Sequence, residues 1–145
     1  MGSTADLKNR LEKIARHYRV EEVYAFGSRA KELAARLRDE KTSVAHPESD
    51  VDIGVRIKAG ITLGPSERVQ LGLEIEDLLG VSRVDVVILQ EVEPFLAVEI
   101  IRGELLYAED LNRQARYELY LLRRAGDLHP FKKERIRMIM EEGAR

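Results

Sequence analysis

The chain has no cysteine. That excludes a disulfide framework, a thiolate metal site and a cysteine nucleophile. Long apolar runs are missing too, the longest spanning only a few residues, so no membrane-spanning segment is expected. The first residues, MGSTADLKNR, hold no hydrophobic stretch of the secretory type. A strong charge of one sign is also lacking: the formal net charge is −2. These absences together fit a cytoplasmic protein.

What remains is a globular balance, 34% charged and 44% hydrophobic over 145 residues, enough for one domain with a real core. The small net charge hides an asymmetry. From Asn112 onward nine Lys/Arg stand against five Asp/Glu, and the rest of the chain is correspondingly acidic. A basic tail fits solvated helices, or a surface that meets an acidic partner. Direct nucleic-acid binding is not expected, and a homo-oligomer stays open.

Periodicity divides the chain. Leu7, Leu11, Ile14 and Tyr18 recur at helical spacing, predicting a helix over 4–18. VEEVYAF (20–26) reads as a strand that ends at Gly27-Ser28, and AKELAARLRDE as a helix opening directly after that turn. KTSVAHPES (41–49) carries the composition of a loop. DVDIGVRI (50–57) alternates as a strand. Pro65-Ser66 opens a helix through Leu79, with Gly80 at its C-terminal cap. RVDVVIL (83–89) is a third strand, PFLAVEIIR a helix closed by Gly103, and ELLYA (104–108) a fourth strand. Two helices follow, over 111–124 and 130–142, broken around Gly126–Pro130. This order predicts an α/β (α+β) domain with a small mixed sheet of about four strands covered by helices. Residues 1–110 would form the core and 111–145 a helical extension of the same domain.

Three places stand out chemically. Gly27-Ser28 joins a strand to a helix, where free N–H groups and the helix dipole favour an anion. Such a turn alone fits an ordinary Ser-capped helix equally. Asp50 and Asp52 share one strand face with Cα atoms roughly 7 Å apart, so they repel unless a cation, a proton or water lies between them. Mg²⁺ suits such a pair, because it takes one or two carboxylates and completes its octahedron with phosphate and water. An EF-hand does not fit, since the flanking residues alternate as a strand. Asp85 sits in an otherwise apolar strand, which is costly unless it is paired with a cation such as Arg83 or bound to metal.

Taken together, FGSRA (26–30), SDVDIGV (49–55) and VDVVIL (84–89) resemble the nucleotidyltransferase superfamily of DNA polymerase beta. Within it the chain is similar to the minimal nucleotidyltransferases, the antitoxin partners of HEPN toxins. The likeness spans most of residues 5–110. It implies a polymerase beta-like fold and a Mg²⁺-dependent transfer of AMP from ATP to a hydroxyl, with a HEPN toxin tyrosine as acceptor and partner. Asp50, Asp52 and Asp85 would be the catalytic metal ligands, Asp85 also taking the acceptor proton. Gly27, Ser28 and Arg29 would hold the phosphates. A small-molecule acceptor, or an antitoxin acting by binding alone, are the alternatives. One departure stands out: 21 residues (29–49) separate Ser28 from Asp50, more than in compact members. The insertion at 32–48 puts the lid geometry and the acceptor preference in question.

Overall fold

A computed structural model describes residues 4–37 and 50–127. The loop expected over 41–49 and the helix expected over 130–142 lie outside them, as does most of the insertion at 32–48. The order is α1 (Thr4–His17), β1 (Val20–Phe26), α2 (Ala30–Leu37), β2 (Val51–Ile57), α3 (Pro65–Leu79), β3 (Val84–Ile88), a 3-10 turn (Leu89–Glu91), α4 (Pro94–Ile101), β4 (Glu104–Ala108) and α5 (Leu111–Asp127). The strands form one mixed sheet in the order β3-β2-β1-β4. β1 runs antiparallel to β2 and β4, whereas β2 and β3 are parallel, as a helical crossover such as α3 requires.

Local chemistry explains the boundaries. α3 opens with Pro65, whose missing N–H costs nothing in the first turn, and Gly64 donates its N–H to Glu67 Oε1 at 3.1 Å. Gly80 closes the helix at φ +67, where a side chain would be strained. The Glu93 carboxylate accepts the N–H groups of Phe95 and Leu96 and starts α4. Asp110 does the same for α5 through Asn112 and Arg113. α5 runs on through Gly126 to Asp127, past the break expected after 124. One glycine weakens a helix by only about 1 kcal/mol, too little by itself to end one held by tertiary contacts.

The sheet separates two cores. On one face Val51, Ile53 and Val55 are fully buried against Leu11 of α1, Leu33 of α2, and Leu71 and Ile75 of α3. On the other, Tyr24, Leu89, Ala97, Ile100 and Leu121 join the sheet to α4 and α5. The alternation of β2 makes this division: Asp52, Gly54 and Arg56 face α4 and α5 while their neighbours face the larger core. Gly54 is the close-approach point, since a Cβ there would sit 2.4 Å from Ile100 Cγ2.

Candidate active site

Register brings the chemistry to one end of the sheet. Phe26 at the end of β1 pairs with Asp52, and Asp52 pairs with Asp85. Gly27 follows directly at φ +81, a conformation that glycine adopts freely. It lies against the second aspartate, for a Cβ there would fall 2.6 Å from Asp52 Oδ2. Gly27 and Ser28 are exposed, and α2 starts two residues later, with the Ala30 N–H on the Gly27 carbonyl at 3.3 Å. An exposed glycine-serine turn, the start of a helix and the carboxylate edge therefore meet.

Asp52 is the electrostatic centre. Burial pushes its carboxyl above the ordinary value, and the charges of Asp85 and then Asp50 push it further. Asp50 is exposed at the mouth of β2. Asp85 is half-exposed and pairs with Arg83, Nε to Oδ1 at 3.5 Å. The burial expected of Asp85 is therefore only partial: β3 is an edge strand, open to solvent on its outer side. Arg83, two residues before Asp85 and just outside β3, is the cation the sequence offered for this pairing. It also belongs to the site, because its carbonyl accepts the Val51 N–H beside Asp50.

Arg29 is placed differently from the other candidates. It is buried, and its Nε meets Glu32 Oε2 at 3.2 Å, so the guanidinium folds over the first turn of α2. Gly27 and Ser28 are left as the exposed groups of the turn.

Among the described residues, no three acidic or histidine side chains close around a single point. The chain offers an open edge of mutually repelling carboxylates rather than a finished cage. That donor set fits Mg²⁺, which binds through few carboxylates and takes its other oxygens from phosphate and water.

The chain belongs to the polymerase beta nucleotidyltransferase family, whose model matches residues 9–112. Among solved structures it is similar to a toxin–antitoxin complex chain crystallised with AMP-PNP, at 20% identity and a TM-score of 0.63, covering 92% of this chain and 98% of that one. A chain from tri-AMPylated Shewanella oneidensis HEPN toxin in complex with MNT antitoxin matches at 18% identity and TM-score 0.62, over 95% and 99%. The toxin–antitoxin MntA-HepT matches at 18% and 0.61, over 92% and 97%. These likenesses establish the fold expected from the sequence. No curated protein sequence matches the chain. No described helix is long and apolar enough to cross a membrane.

Proposed function

We propose that this nucleotidyltransferase transfers AMP from ATP to a protein hydroxyl, a tyrosine of a partner HEPN toxin, and so acts as an antitoxin. The carrying observation is Asp52, wedged between the Gly27 turn and the charges of Asp50 and Asp85 at one sheet edge. The similar chains captured with AMP-PNP, and with an AMPylated HEPN toxin, support the choice of nucleotide and acceptor.

Each residue then has a role. The Gly27-Ser28 turn presents N–H groups and a hydroxyl to the terminal phosphates at the start of α2. Asp50 and Asp52 would hold Mg²⁺ with Asp85, and the ion would supply positive charge against the triphosphate. The Asp85 carboxylate takes the acceptor proton as the acceptor oxygen attacks the α-phosphorus and pyrophosphate leaves. Arg83 balances Asp85 between turnovers. Arg29 anchors the start of α2 through Glu32, beside the phosphate turn.

The test is adenylyl transfer from labelled ATP with Mg²⁺ and a HEPN toxin as acceptor. Asp50→Asn and Asp52→Asn should stay folded and lose about 10²-fold or more of the transfer rate, the scale of lost charge stabilisation at a reacting centre. Near-normal transfer by either variant would remove the carboxylates from the mechanism. Label on a small molecule instead would reassign the acceptor. Toxin silencing without label would leave an antitoxin that works by binding.

A further inference from the structure

The five tyrosines are not equivalent. Tyr18 and Tyr24 are buried, Tyr107 and Tyr117 are half-buried, and Tyr120 is 49% exposed. Tyr120 stands in the middle of the basic face of α5. Arg116 precedes it by four residues, while Arg123 and Arg124 follow by three and four, so all three are its helical neighbours. Arg124 Nη1 donates to Tyr120 Oη at 3.4 Å, and its guanidinium carbon lies 5.8 Å from the ring centroid. Arg123 makes no ion pair among the described residues. The ring itself is held, stacked on Tyr117 at 5.7 Å, which in turn lies 4.3 Å over the Arg56 guanidinium. A fixed, exposed phenol among cations is thus built into the helix.

The catalytic edge is its electrostatic opposite, with Asp50, Asp52 and Asp85 together. The two surfaces of one copy do not meet. Asp52 and Arg56 lie on the same strand face four residues apart, roughly 13 Å at the strand rise. Tyr120 lines a cleft with Arg56, Ile57 and Ala59, at the end of β2 opposite Asp52.

We propose that Tyr120 is itself an acceptor, modified by the catalytic edge of a second copy of this chain. Its role rests on the adenylyl transfer proposed above. Tyr120 Oη of one copy attacks the α-phosphorus of ATP held by the other. The bond to the β-phosphate oxygen breaks, pyrophosphate leaves, and the phenolic proton passes to Asp85 of the donor copy. The new phosphodiester carries one negative charge and sits beside Arg124, with Arg116 and Arg123 as neighbours on the helix. It also stands at a cleft of about 470 Å³ lined by Tyr117, Tyr120, Leu121, Arg124 and Pro94, so the modification changes both the charge and the shape of that surface.

The experiment uses the full chain with labelled ATP and Mg²⁺, followed by digestion and mass mapping. One AMP is expected on the peptide holding Tyr120, and the rate per chain should double when the protein concentration doubles. Tyr120→Phe, which removes only an exposed hydroxyl, should bind ATP normally and take no label. An Asp52→Asn chain should gain label only when mixed with the Tyr120→Phe chain as donor. Label on a different residue, or a rate per chain independent of concentration, overturns the proposal. So does an unlabelled chain that binds ATP by calorimetry, which leaves the nucleotidyl-transfer reading standing. A chain that binds no ATP at all removes that reading and this one together.

Discussion

At the scale of single residues, the site depends on close approach as much as on charge. Gly27 occupies a left-handed backbone conformation with no room for a Cβ beside Asp52. Gly27→Ala should cost about 1–2 kcal/mol from the backbone alone. The methyl would also push the Asp52 carboxylate aside, so transfer should fall by more than the loss of folded protein explains. Thermal melts beside initial rates at a temperature where the variant is fully folded would check this; an unchanged rate there would mean Asp52 tolerates the shift. Asp85 gives the opposite pattern. It is half-exposed, and its partner Arg83 is more exposed still. Such pairs contribute at most about 1 kcal/mol, so Asp85→Asn should melt close to wild type while losing transfer. A large drop in melting temperature with transfer intact would make the aspartate structural.

Among the elements, α5 depends most on polar contacts. Only Leu121 of its large apolar side chains is fully buried, while Leu111, Leu119 and Leu122 remain exposed. Its position is set instead by Arg113 on Glu21 at 3.2 Å, by Gln114 on the Tyr24 hydroxyl at 3.0 Å, and by Tyr24 on Glu118 at 3.1 Å. The Asp110 cap begins it. The Arg113 N–H, then the Asn112 N–H, hold the Asp110 carboxyl below its ordinary 3.8. A depressed carboxyl stabilises the fold above the unfolded value and loses that contribution as pH falls through the folded one. Asp110→Ala should therefore melt lower than wild type at neutral pH, and the gap should close once the pH drops below the carboxylate range. Paired melts across pH would measure it, and a gap that persists in acid would exclude the cap as its source.

For the molecule as a whole, the seam between the sheet and α5 is held by a buried charge. Glu22 has no exposure, at the centre of β1, and Arg56 meets it with two nitrogens, Nε to Oε1 at 2.6 Å and Nη2 to Oε2 at 2.5 Å. Burial pushes the Glu22 carboxyl above its ordinary 4.5, against the pull of Arg56. Arg56→Met would leave the upward push of burial opposed only by the charge of Arg113 and strand a buried carboxylate without its hydrogen-bonded partner, at a cost of about 3–5 kcal/mol. A carboxyl raised on folding adds stability below its unfolded value and loses it as pH rises through the folded one. The deficit of the variant should therefore be greatest near neutral pH and shrink toward acid. Urea denaturation at several pH values tests this, and a deficit independent of pH would trace the loss to packing over Tyr117 instead.

The sequence by itself determined the elements and their ends, because these follow from short-range physics. Alternation in DVDIGVRI, helical spacing in α1, and proline and glycine at the ends of α3 act within a few residues of chain. The Gly27-Ser28, Asp50-x-Asp52 and Asp85 candidates were legible for the same reason, each lying at or near a strand end. Only the tertiary structure decided that β3 is an edge strand, which opens Asp85 to solvent. It also carried α5 past residue 124 and joined Glu22 to Arg56 across two strands. Those outcomes depend on strand order, on register and on which helix covers which face. They are set by contacts between residues far apart in the chain, and no local pattern encodes them.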